Sequence, residues 1–129
     1  MAETVTKDFK EKKEFLESYR RITAEAELLR EELKDWQELS TAHPKEGLYA
    51  ANIVLKRAEV LAREDDALEV KIKILEATDR IADKRIRNIL RRHYIHGQSI
   101  KKIAKVMYYS ERYVKRLHKK GIETLSIEK

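Results

Sequence analysis

The sequence predicts an all-α fold: an N-terminal long-helix hairpin or coiled coil, followed by a C-terminal trihelical helix-turn-helix. Three observations predict it. Apolar residues recur on a 4-3 spacing through the front half, as at the a and d positions of a coiled coil. Chain breakers are scarce, with one Pro and three Gly in 129 residues, and 40% of the residues are charged, which suits long solvated helices. Near the C-terminus two short amphipathic segments each begin at a serine and are separated by a tight corner.

The first long helix is carried by Phe15, Tyr19, Ile22, Ala26, Leu29, Leu33 and Trp36, with charges at the positions between. The acids Glu25, Glu27, Glu31, Glu32 and Asp35 form the solvated flank of that seam, not a catalytic pair. The pattern breaks at Ser40–Gly47, where Pro44 and Gly47 are the only strong punctuation before Gly97. A second seam is expected from Val54, Ala58, Leu61, Leu68, Ile72 and Leu75, with Asp65 and Asp79 interrupting it. The two helices satisfy the same pattern whether they close as an antiparallel hairpin or pair between chains.

Thr78 or Asp79 is the expected cap of a third helix, from about Arg80 to His96, whose apolar positions are Ile81, Ile86, Ile89, Leu90 and Tyr94. Gly97 ends it by taking a left-handed conformation at no steric cost. Ser99 caps the next segment, in which Ile100, Ile103, Ala104 and Met107 make one apolar stripe. Ser110 caps the last one, where Val114, Leu117, Gly121 and Leu125 line the inner face. At about 100° per residue, Arg112, Lys115, Arg116, Lys119 and Lys120 fall on the opposite side. The division expected is residues 1–79 for assembly and residues 80–125 for the trihelical unit. So small a unit is expected to lean on the preceding helices.

Charge divides the chain at the same place. Residues 80–120 hold fourteen Lys or Arg against Asp83 and Glu111, a net of +12, whereas residues 1–79 carry fourteen basic and nineteen acidic residues. A basic helix face opposite a packed one suits a double-stranded DNA partner, because a duplex carries about one negative charge per 1.7 Å of its axis. The expected DNA-binding residues are Ser99, Lys101, Lys102, Ser110, Glu111, Arg112, Lys115, Arg116, Lys119 and Lys120. Tyr109 or Tyr113 is placed to reach backbone phosphate, and Lys101 and Lys102 phosphate as well.

Several other functions are disfavoured. No cysteine is present, which removes disulfides and thiolate zinc sites and fits a reducing cytoplasm. No apolar run approaches the roughly 20 residues of a membrane span, so no membrane partner is expected. His93 and His96 stand i, i+3 but lack a third metal ligand at suitable spacing. His118, near the inner helix face, is expected to be packed or close to phosphate rather than catalytic. No Gly-rich phosphate loop and no nucleophile motif occurs, and neither enzyme activity nor a cofactor is expected.

Tyr94–Ser99, Ile103-Ala104, Met107–Ser110 and Arg112–His118 resemble the C-terminal region of phage-encoded transcriptional regulators of the RinA and ArpU type. The helix-turn-helix of that family is similar to region 4 of sigma factors. The resemblance covers residues 80–125, about a third of the chain. It implies sequence-specific promoter binding, activation of phage late genes in the host bacterial cytoplasm, and contact with bacterial RNA polymerase. Two residues depart from the family. Tyr108 stands where the family often has Gly; a non-Gly residue at positive φ is costly, so another corner geometry is expected. Gly121 stands where a small Ala is preferred, permitting close packing at a loss of up to about 1 kcal/mol of helix propensity.

One such motif contacts only a few base pairs, so a homodimer reading two half-sites is expected, the rival being a monomer seated beside polymerase. A DNA-packaging protein of the small-terminase kind combines the same elements in a ring. A coiled-coil protein–protein adaptor, its basic tail mere solvated surface, is the third possibility.

Overall fold

The computed structural model describes residues 2–44, 47 and 49–127. Five helices follow one another: α1 (Ala2–Ala42), α2 (Ala50–Asp79), α3 (Lys84–Tyr94), α4 (Ile100–Met107) and α5 (Glu111–Thr124). Among the described residues there is no strand, and no helix is long and apolar enough to cross a membrane. The fold is all-α. Helix α1 contains neither Gly nor Pro and stops just ahead of Pro44, consistent with the steric bar on helical backbone before a proline. Of the break expected at Ser40–Gly47, Lys45 and Glu46 lie outside the described residues, and Gly47 takes a φ of +56°.

Packing divides the chain into two units, residues 21–69 and residues 1–20 with 70–129. The boundary therefore does not fall at residue 79/80, where the charge changes.

In the first of these units the two long helices run antiparallel within one chain. Arg30 meets Glu64 at 2.8 Å, Lys56 meets Glu32 at 2.8 Å, and Arg63 meets Glu25 at 3.3 Å. These pairs are partly exposed and contribute little stability each, but together they set the register. Trp36 packs on Tyr49 with ring centroids 5.7 Å apart, closing the loop end. On α1 the expected seam faces inward: Ala26 is buried and Ile22, Leu29, Leu33 and Trp36 are half-buried.

On α2 the expected seam is wrong. Val54, Ala58, Leu61, Leu68 and Ile72 are exposed, and only Leu75 is partly covered. The inner face is instead Ile53, Val60, Ala67 and Ile74, which repeat every seven residues and lie one position earlier than Val54, Leu61, Leu68 and Leu75. Both stripes have coiled-coil periodicity, and α1 covers the one with the smaller side chains.

The second unit has one core. Leu16, Ile74 and Ala77 from the long helices join Ile81, Ile86, Ile89, Leu90, Tyr94, Ile103, Val114, Leu117, Ile122 and Leu125, all buried. Helix α3 starts later than the sequence suggested, and its cap is Asp83, not Thr78 or Asp79. The Asp83 carboxylate accepts the Arg85 amide at 2.9 Å, and Arg85's guanidinium beside it holds the acid below the usual carboxylate range. Thr78 is buried and faces inward: its hydroxyl donates to the Ile74 carbonyl at 2.9 Å and accepts from Arg91 Nε at 2.9 Å. Arg91 also donates to the Leu75 carbonyl at 3.1 Å and pairs with Asp79, so it caps the C-terminal end of α2. Lys12 does the same for α5, donating to the Glu123 carbonyl at 3.0 Å.

Because Leu16 is fully buried, residues 80–125 depend on a side chain far outside them. Leu16→Ala should destabilise the protein by about 2–5 kcal/mol, measured by urea denaturation. A loss below about 0.5 kcal/mol would show that α3–α5 fold without α1.

Candidate nucleic-acid interface

Helices α4 and α5 are each started by a serine. Ser99 and Ser110 lie in extended backbone, and each hydroxyl accepts an amide of the first turn, from Lys102 and Tyr113 respectively, at 3.1 Å. Helix α4 ends in a Schellman corner: Tyr109 donates its amide to the Ala104 carbonyl at 2.9 Å, and Tyr108 is left-handed with φ 60° and ψ 40°. The expectation of a different corner geometry is thus overturned. Tyr108 keeps positive φ although it carries a Cβ, at a cost of about 1–2 kcal/mol, and its side chain is 94% exposed.

The inner faces fall where the spacing placed them. Ile103, Ala104, Val114, Leu117, Gly121 and Leu125 are buried, and Ile100 and Met107 half-buried. At Gly121 a Cβ would come within 2.7 Å of Ile86 Cγ2 and 3.1 Å of Leu90 Cδ1, so α5 crosses α3 more closely than an alanine permits. Gly97 keeps the left-handed conformation expected of it, with φ +66°.

Every expected DNA-binding residue is exposed: Ser99, Lys101 and Lys102 on α4 and its cap, and Ser110, Glu111, Arg112, Lys115, Arg116, Lys119 and Lys120 on α5 and its cap. They are not equally free. Arg116 lies over the Tyr113 ring at 5.1 Å from its centroid, a cation–π contact. Tyr113 is held edge-on by Tyr109, at 5.0 Å between centroids, and its hydroxyl accepts from Arg85. Arg85 in turn grips Asp83 through Nη2 at 2.9 Å. Arg112 and Arg116, with Tyr108, Tyr109, Ser110 and Tyr113, line an open depression of about 590 Å³. Arg116 and Arg85 are therefore braced by Tyr113 before any ligand arrives. Spacing on α5 gave no sign of Arg85, because its partners come from α3's own cap and from a residue 28 positions later.

His118 is packed, as the sequence suggested. Its Nε2 stands 2.7 Å from the Tyr94 hydroxyl, its ring stacks on Tyr94, and His93 approaches edge-on at 5.3 Å between centroids. His93 Nδ1 lies 2.7 Å from the Gln98 carbonyl and so donates to it. Burial, then the nearby His93 and Lys13 charges, push the His118 imidazole down to about 4. The neutral ring accepts the proton of the Tyr94 hydroxyl, whose own ionisation is pushed up by burial.

Compared with protein-family models, with curated proteins and with solved structures, the chain matches none of them.

Two measurements test this geometry. Folded His118 stays neutral down to about pH 4, whereas the unfolded side chain protonates near 6.5, so the unfolded state binds more protons between those values. Stability should fall as pH drops through that window, and His118→Gln should flatten the fall; equal slopes by urea titration would refute the assignment. Tyr108→Gly should raise stability by about 1 kcal/mol, because it removes the left-handed strain. A loss of stability would mean that the exposed ring contributes packing.

Proposed function

We propose that this protein is a sequence-specific DNA-binding transcription regulator acting through α4, the Tyr108 corner and α5 as a helix-turn-helix. The observation that carries the reading is the two-sided α5: Val114, Leu117 and Gly121 are buried, and Arg112, Lys115, Arg116, Lys119 and Lys120 are all exposed. A recognition helix needs this division, one face fixed by the preceding helices and the other free to enter a major groove. The two serine caps fix where each helix begins, so the first exposed side chains of α5 have a defined position. The net +12 of residues 80–120 supplies affinity by counterion release. The guanidinium of Arg116, held over the Tyr113 ring, suits a bidentate contact to guanine O6 and N7, since less side-chain freedom is lost on binding. The resemblance of residues 80–125 to RinA- and ArpU-type regulators supports activation of phage late genes, with RNA polymerase as a protein partner.

Selection of binding sites from random duplex DNA, followed by binding curves at several salt concentrations, tests the proposal. Arg112→Ala and Arg116→Ala should each weaken the selected site by about 1–3 kcal/mol and relax the preference at one base pair. Lys101→Ala and Lys102→Ala should weaken every sequence alike and make the salt slope shallower. Absence of any salt-dependent duplex binding overturns the proposal, and uniform losses for both arginines remove them from base recognition.

A further inference from the structure

Within the hairpin unit, the apolar stripe that α1 leaves uncovered on α2 runs from Ala51 to Leu68. Val54, Leu55, Leu61 and Leu68 are between 57% and 65% exposed. Ala51, Ala58 and Ala62 are exposed beside them, so the outward arc has seven apolar side chains interrupted by Asp65. Isolated surface leucines are ordinary, but a stripe of them at coiled-coil spacing on a helix already packed on its other side is unusual for a free surface.

We propose that this face binds a second copy of the same chain, with the two α2 helices antiparallel about a two-fold axis between residues 59 and 60. Size and charge select that arrangement. In it Leu61 packs on the partner's Ala58, Leu68 on the partner's Ala51, and Leu55 on the partner's Ala62, so large meets small at each of these layers and the helices approach closely. Arg57 lies across from the partner's Glu64, and the two-fold axis repeats the pair. One Glu64 oxygen is taken by Arg30 at 2.8 Å within the chain, which leaves the other carboxylate oxygen for Arg57. Asp65 then faces the partner's Val54, away from its own copy. A parallel pairing instead sets Asp65 against the partner's Asp65 and Glu64 against the partner's Glu69, both repulsive. Moving the antiparallel axis half a heptad, to the level of residue 63, sets Arg57 against the partner's Lys71 and Glu64 against its own copy, again repulsive. The seam on α1, closed within the chain, is not the contact. This assembly stands independently of DNA binding, since a monomeric outcome leaves the α5 face unchanged.

Sedimentation of the full chain at micromolar concentration should give twice 15.3 kDa. Leu61→Lys places a charge in the stripe and should raise the dimer dissociation constant at least about tenfold, with helicity by circular dichroism unchanged because the residue is exposed in the monomer. Arg57→Glu should weaken the dimer in the same way. Orientation is read by oxidation, because the chain has no cysteine of its own. Ala51→Cys with Leu68→Cys in one chain should form a disulfide-linked dimer; the two positions lie about 25 Å apart along their own helix, too far to close internally. Leu68→Cys alone should not cross-link. A monomer at all concentrations, a dimer indifferent to Leu61→Lys, or cross-linking by Leu68→Cys alone each overturns the proposal.

Discussion

The C-terminal unit rests on one constraint: α3, α4 and α5, of 11, 8 and 14 residues, have too little apolar surface to enclose a core by themselves. Leu16 and Ile74, both fully buried, complete it from the long helices. Arg91 then joins α3 to the end of α2 through the Thr78 hydroxyl and the Leu75 carbonyl. An arginine from the most basic part of the sequence is thus spent on architecture. Positive charge alone therefore does not separate binding residues from structural ones; the partners of each guanidinium do.

The same distinction applies across the candidate interface. Arg85 and Arg116 converge on Tyr113 from two helices, Arg85 by a hydrogen bond to the hydroxyl and Arg116 over the ring face. Tyr109 stands edge-on to that ring. Holding two cations near one ring keeps their stems in few conformations, which lowers the ordering cost when an anionic ligand binds. The strain at Tyr108 lies at the same corner, and the tight crossing of α5 over α3 at Gly121 fixes the helix that carries the arginines.

Local signals were legible in the sequence and long-range ones were not. Ser99, Ser110 and Gly97 act through bonds or backbone angles within a few residues of themselves, and each is found doing what its residue type suggests. The inner face of α5 was legible from its one apolar stripe, and the seam of α1 from its 4-3 spacing, but that spacing selected Phe15 and passed over its neighbour Leu16, the side chain the core buries completely. Helix α2 carries two stripes one residue apart, and size misleads there: Val54, Leu61 and Leu68 are exposed while the smaller Ala67 and Val60 are the ones α1 covers. Asp83 was missed as a cap because Thr78 and Asp79 offer the same chemistry a turn earlier; Thr78 is drawn into the core by Arg91, and the chain bends through Ile81 before the next helix begins. Arg85's role depends on a tyrosine 28 positions away, beyond any periodic pattern.

The placement of residues 1–20 and 70–129 in one packed unit, with residues 21–69 forming another, has a kinetic side. As the chain is synthesised, the hairpin arm has all its partners once residue 69 is free, so it folds from local contacts. Leu16 and Lys12 must wait for Val114, Ile122 and the Glu123 carbonyl, more than ninety residues later. Such long sequence separations slow folding, since loop closure precedes any gain from burial. The pre-formed arm shortens the effective loop by bringing its two ends together in advance. The unit that carries the basic helices is thus completed last, after the hairpin that links its two sequence segments has formed.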